Sequence, residues 1–181
     1  MDKHYLTPLF APASIAVLAG KADEPEPLTS YAQALHPALR AQRFAGSLQF
    51  VDTHTSGTLA DLAQRKSDLA IIALPPAEVP AALEVAGRIG CRAALVLSSG
   101  MDADQAANLK KIARREGLYL LGPNSLGFQR PHLQLNASAA GPLASDGPLA
   151  LVCQSGALTS SILDWASNNA GINRAFAAQM S

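Results

Sequence analysis

The amino-acid sequence predicts an α/β fold built on a doubly wound parallel sheet, and two observations carry that expectation. Short apolar runs recur at 15–18, 48–51, 69–74, 93–97 and 118–121, with helix-compatible stretches between several of them. The runs are apolar throughout and do not alternate with polar residues, as expected of parallel strands covered by helices on both faces.

The first run closes an apolar stretch, 9–19, that has the look of a signal-peptide core ending in small residues. Pro12 and Ser14 interrupt that stretch, and Ile15-Ala16-Val17-Leu18 reads as the first strand. The clearest helix runs over about 103–116. Asp102 can cap it, Gln105 stands in capping-box spacing, and Gly117 fits the position just past its end. Ala106, Leu109, Ile112 and Ala113 make its apolar stripe, leaving Lys110, Lys111, Arg114 and Arg115 to solvent. Another helix is expected after Pro75-Pro76, ending near Gly90.

Residues 136–148 are rich in Ala, Ser, Gly and Pro, and Gly141-Pro142 and Gly147-Pro148 break regular structure. A first domain over 1–136, a linker over 137–148 and the start of a second domain over 149–181 follow. The second unit reads as strand 149–153, the turn Gln154-Ser155-Gly156, a helix with Leu158, Ile162, Trp165 and Ala166 on one side, and a strand at 176–180. One such βαβ unit cannot bury both faces of its sheet. It is therefore expected to pack on the first domain or on a second copy, exposing an edge at 149–153 or 176–180.

Hydrophobic residues make up 49% of the 181, charged residues 15%, and 14 basic side chains balance 14 acidic ones. That composition argues for a globular chain and against nucleic acid or a membrane surface as partner. No run approaches the ~18 apolar residues that cross a bilayer. Cys91 and Cys153 each lie in or beside an apolar run, which suits reduced thiols in a cytoplasmic protein. His4, His36, His54 and His132 lack metal-ligand spacing and read as surface or loop residues, so no metal is expected.

Three turns follow predicted strands at the edge where open α/β folds bind ligands. After the first strand, only Gly20 stands where a dinucleotide fingerprint needs several glycines. Asp23, Glu24 and Glu26 add negative charge where a phosphate would sit, which disfavours ordinary NAD or FAD binding and any tight diphosphate cradle in this loop. Ser98-Ser99-Gly100 offers hydroxyl and backbone donors ahead of a capped helix. Gly122-Pro123-Asn124-Ser125-Leu126-Gly127 fixes a tight path beside a side chain that can bond backbone or ligand. In the second unit, Gln154-Ser155-Gly156 lacks the glycine and the partners of a nucleophile elbow, and reads as a phosphate-facing turn at a helix start.

In this order these segments resemble the NDP-forming acyl-CoA synthetases, including the succinyl-CoA synthetase α subunit. The segments that carry the likeness begin with Leu9-Phe10-Ala11-Pro12-Ala13-Ser14-Ile15-Ala16-Val17 and Asp68-Leu69-Ala70-Ile71-Ile72-Ala73-Leu74-Pro75, followed by the 122–127 motif. Leu135-Asn136-Ala137-Ser138 and Leu149-Ala150-Leu151-Val152-Cys153-Gln154-Ser155-Gly156-Ala157-Leu158 complete it. The 122–127 motif, with Ile162-Leu163-Asp164-Trp165-Ala166, is especially similar to bacterial protein lysine acetyltransferases in which a synthetase-like region is fused to a GNAT domain.

The resemblance implies a Rossmann-like CoA-binding domain followed by the start of a flavodoxin-like domain. CoA or an acyl-CoA would lie against Gly20, Val51, Asp52, Leu74, Pro75, Ser98, Ser99, Gly100, Gly122, Pro123 and Asn124, with Gln154, Ser155 and Gly156 facing phosphate. Two positions depart from the pattern. The first loop lacks the family's P-G-x-x-G glycines, and Asp52 stands where many relatives have Asn. The family's relay histidine has no counterpart in these residues, so the chain alone is expected to be non-catalytic. The expected function is a regulatory CoA-sensing module of a larger acyltransferase or acid–CoA ligase. The alternatives are the α-type portion of an active synthetase, or a scaffold that no longer binds ligand.

Overall fold

The computed structural model describes residues 4–20, 29–51, 66–147, 149–168 and 175–179. Its main sheet has five parallel strands: β1 (Ser14–Leu18), β2 (Ser47–Phe50), β3 (Leu69–Ile72), β4 (Ala93–Val96) and β5 (Tyr119–Leu121). Their spatial order is β2-β1-β3-β4-β5. The chain reverses direction across the sheet between β1 and β3. That is the topological switch point, where the turns on either side leave a crevice at the carboxyl edge.

The unbroken apolar runs are explained by the two cores they feed. Ala16, Leu18, Ala70, Ile72, Ala94 and Val96 face one way, toward α3 (Val79–Arg88) and α4 (Ala103–Arg115). Ile15, Val17, Leu69, Ile71, Ala93 and Leu95 face the other, toward Leu9 of the single-turn helix α1 (Thr7–Phe10) and Ala32, Leu35 and Leu39 of α2 (Ser30–Arg40). Successive strand residues thus alternate between two apolar layers. All eight residues of β3 and β4 are buried.

Helix α4 forms as its sequence foretells. Asp102 accepts from the Gln105 amide at 2.8 Å, and the Gln105 side chain accepts from the Asp102 amide at 2.9 Å. At the other end Leu118 and Gly117 donate to the carbonyls of Ala113 and Arg114, closing the helix with Gly117 in the left-handed region. Helix α2 is less legible, because Pro37 sits in its interior. Its last turns are held by Leu35 and Leu39 against the sheet, which outweighs the lost backbone donor.

Past β5, the sequence reading named no strands before residue 149, yet a hairpin forms there. β6 (Gly127–Arg130) and β7 (Leu135–Ser138) pair antiparallel around a 3₁₀ turn at Pro131–Leu133. Phe128, Leu135 and Ala137 close the core on the α2 side. β7 runs two residues into the stretch read as linker, and the chain beyond it is fastened to the hairpin by buried polar groups. Gln129 donates to the Pro142 carbonyl at 3.0 Å and accepts from the Ala144 amide at 2.9 Å; Asn136 donates to the Gly141 carbonyl at 2.8 Å.

The expected strand–helix–strand unit is present as β8 (Leu149–Cys153), α5 (Gly156–Asn168) and β9 (Ala175–Gln179), with the two strands parallel. It joins the hairpin in a second sheet ordered β7-β6-β9-β8. Of the two edges expected, the one at 149–153 is present: β8 is the outer strand, while β9 is paired on both sides. The buried side chains of α5 include Thr159 and Leu163, while Leu158 and Trp165 are exposed. Among the described residues no helix is long and apolar enough to cross a membrane.

Candidate functional site

The register of the main sheet brings most of the predicted residues to one edge. Leu18, Ile72 and Val96 lie in one row across β1, β3 and β4, and Leu121 is level with Leu95. Gly20, Leu74 and Ser98 therefore leave their strands side by side, with Gly122, Pro123 and Asn124 next to them after β5. Val51 is buried at the end of β2, its amide bonded to Val17. Asp52 lies outside the described residues.

These residues divide by what their polar groups do. The Ser98 hydroxyl is buried and donates to the Leu74 carbonyl at 2.6 Å, so it is spent inside the protein. Pro75 has no amide proton, and Leu74 is buried; the exit of β3 thus supplies an apolar wall. Ser99 is half-buried and Gly100 exposed, directly beside that wall. Asn124 is exposed, has φ 59° and donates its amide to the Ser98 carbonyl at 2.9 Å, an arrangement that turns its side chain out of the strand direction.

Gly122 is where the tight path is needed. It has φ 98°, and a Cβ there would stand 2.2 Å from the Val96 carbonyl oxygen. Only glycine lets the β5 exit cross so close to β4.

Of the three helix starts at this edge, those of α4 and α2 differ in charge; that of α3 has Glu78 at its cap position, without a side-chain cap bond. α4 carries the Asp102 carboxylate as its cap, which places a negative charge beside the Ser98-Ser99-Gly100 turn and offsets the helix dipole there. α2 is capped by a neutral hydroxyl, that of Thr29, and has no acidic residue in its first turn. Sequence reasoning missed Thr29. Its signal was a Thr just ahead of the apolar series Ala32, Leu35 and Leu39, masked by Pro37.

The predicted turn at Gln154, Ser155 and Gly156 is not brought to this edge; it follows β8 in the second sheet. Ser155 there accepts from the Leu158 amide at 3.3 Å and so caps α5. The histidine reading needs one correction. His36 is buried in α2, not at the surface or in a loop, with its ring stacked on Phe50 at 5.0 Å between centroids. His132 is exposed, 3.5 Å from Asp146, and His54 lies outside the described residues. Among the described residues no group of three His, Cys, Asp or Glu could hold a metal ion. Burial, reinforced by the charge of Asp68, pushes the Cys91 thiol up to about 12, so it stays protonated as a core residue.

Residues 48–131 match the family described as CoA binding domain. The match takes in every candidate at the carboxyl edge except Gly20. Over 101 residues the chain is 35% identical to the ADP-forming acetate–CoA ligase of Methanocaldococcus jannaschii, a stretch covering 54% of this chain and 14% of the ligase. It is also 35% identical over 105 residues to the α subunit of ADP-forming acetate–CoA ligase I of Pyrococcus furiosus, covering 54% of this chain and 22% of that subunit. The chain thus corresponds to a minor part of the length of these relatives.

Among the solved structures that share the fold are two larger proteins. A dinucleotide-forming acetyl-CoA synthetase from Ca. Korarchaeum cryptofilum, in complex with phosphate and ADP, superposes with a TM-score of 0.81 at 22% identity over 97% of this chain and 39% of its own. ATP citrate lyase from Methanothrix soehngenii, in complex with citrate and CoA, gives 0.67 at 16% identity over 97% of this chain and 32% of its own. The Rossmann-like α/β architecture expected from the sequence is therefore the one observed.

Proposed function

We propose that this chain holds CoA or an acyl-CoA across the carboxyl edge of the main sheet, as the α-type part of a larger acyl-CoA synthetase-like protein. One observation carries the reading: in a chain whose residues 48–131 match the CoA binding domain family, the switch point gathers Gly20, Ser99, Gly100 and Asn124 around the apolar exit of β3. The first turn of α2 bears no acid, but Asp23, Glu24 and Glu26 precede it in sequence and Asp102 caps α4. The ligand is therefore held chiefly by the apolar exit at Leu74 and Pro75 and by the donors of Ser99, Gly100 and Asn124, not by a tight diphosphate cradle. The acetate–CoA ligases among its relatives favour a protein that forms or consumes a CoA thioester.

A second reading is a regulatory module that senses CoA for a fused acetyltransferase domain. The likeness of the 122–127 and 162–166 segments to that class favours it, together with a first loop that has Gly20 but none of the family's further glycines. Sequencing the complete reading frame separates the two: a phosphohistidine motif with an ATP-grasp region supports the synthetase, a GNAT domain the sensor. Both readings suit a cytoplasmic protein. Self-association through the outer strand β8 is a further part of the proposal, checked by light scattering against a chain ending near residue 140.

Isothermal titration with CoA and acetyl-CoA tests the common claim. Saturable heat below about 1 mM, equivalent to roughly −4 kcal/mol or better, is expected. Absence of heat at millimolar ligand overturns it in favour of a scaffold.

A further inference from the structure

The exit of β3 shows two successive carbonyls, each held by a hydroxyl from a different neighbour. Thr29, ahead of α2, donates to the Ala73 carbonyl at 2.8 Å, and Ser98, after β4, donates to the Leu74 carbonyl at 2.6 Å. The Ser98 bond joins neighbouring strands that already share a backbone ladder. The Thr29 bond does something else. Helix α2 connects β1 to β2, on one side of the switch point, while Ala73 directly follows β3 on the other. The hydroxyl therefore spans the crevice, tying the start of the first crossover helix to the strand across from it.

The demands on residue 29 exceed those of a helix cap. Capping α2 requires only an acceptor, and Thr29 Oγ1 accepts from the Ala32 amide at 3.1 Å. Asp, Asn or Ser would serve that need as well. Reaching Ala73 requires a proton as well, so one small oxygen must accept and donate at once, which a hydroxyl does and a carboxylate does not. We infer that Thr29 is a positioning residue of the ligand site: its hydroxyl fixes the first turn of α2 against the β3 exit and thereby sets the width of the crevice mouth. The effect on ligand rests on the carboxyl-edge reading above; the fastening itself does not.

The test uses the full chain with Thr29→Val, Thr29→Ser and Thr29→Asp, read by CoA titration and, without ligand, by amide exchange at Ala73, whose own amide donates to Leu18. Thr29→Val is expected to weaken CoA about 10-fold, as one lost hydrogen bond at the site allows, with Thr29→Ser within about twofold of the natural protein. Ala73 exchange should quicken in the Val and Asp variants and hold in the Ser variant, while Leu95 in the middle of β4 is unchanged in all three. Thr29→Asp keeps the cap without the proton, so it guards against a Val variant that fails to fold. If the natural chain does not bind CoA, the ligand reading fails, and exchange at Ala73 still decides the fastening. Equal CoA affinity in the Val and natural chains overturns the positioning role; equal Ala73 exchange in the Asp and natural chains overturns the fastening.

Discussion

Gly122 and Gly117 make a paired experiment in which backbone strain and steric clash are separated. Both have positive φ, 98° and 71°. A Cβ built on Gly117 meets nothing within 4 Å, so Gly117→Ala should cost only the left-handed penalty, about 1–2 kcal/mol. A Cβ on Gly122 meets the Val96 carbonyl oxygen at 2.2 Å and its carbon at 3.2 Å, and those atoms belong to a strand whose residues are all buried. The carbonyl cannot swing aside without disturbing the ladder between β4 and its neighbours. Gly122→Ala should therefore reach the exceptional range of roughly 4–5 kcal/mol. Urea unfolding followed by circular dichroism measures both, with unchanged m-values showing that the comparison is sound. For a chain of this size the thermal midpoints should fall by about 2–8 °C for Gly117→Ala and by about 8–20 °C for Gly122→Ala. Equal losses in the two variants would refute the claim that the β5 exit is forced against β4.

The remaining expectations concern the core and the second sheet. Cys91, held protonated to about pH 12, should resist a thiol reagent at pH 8 in the folded chain, whereas Cys153, only partly buried, should label; equal rates contradict the burial argument. Because the folded value lies above the free-thiol value, Cys91 contributes stability that is complete below about pH 9 and is lost as pH rises toward 12. Cys91→Ala should accordingly flatten the alkaline fall of the urea midpoint relative to the natural chain. Gln129→Leu strands the Ala144 amide and the Pro142 carbonyl beside the hairpin. It should cost about 2–4 kcal/mol, and limited proteolysis within 139–147 should become faster; an unchanged cleavage rate would mean that the side chain does not hold this segment.

Much of the main sheet was readable because its signals are local. Five apolar runs gave the five strands, and Asp102, Gln105 and Gly117 gave both ends of α4, since caps depend on neighbours a few residues away. What escaped detection depends on distant partners. The β6 and β7 strands are four residues each, mix Gln129, Arg130 and Asn136 with Phe128 and Leu135, and are recognisable only once the α2 face of the sheet needs a cover. Helix α2 was hidden by Pro37, whose cost is offset by packing that no window on the sequence reveals.

The turns singled out after strands of the main sheet do come together at one sheet edge, but the sequence assigned them uniform roles. The structure separates Ser98, whose hydroxyl is consumed by Leu74, from Ser99, and separates Asp102 of α4 from Thr29 of α2 as the charged and neutral starts of the two helices. Hydroxyl direction and the partner of a cap are tertiary facts. His36 shows the same limit: nothing near it in the sequence announces that Phe50 will lie under its ring.

The central claim, that CoA lies across the carboxyl edge of the main sheet, is tested most directly by mapping backbone amide shifts during a titration of the isotope-labelled chain with CoA. The largest changes are expected at Gly20, Ser99, Gly100 and Asn124, with Ala13, Asp68 and Arg92 at the opposite edge unmoved. Shifts concentrated at that opposite edge or around Ser155 and Leu158, or no shifts at millimolar CoA, would contradict it.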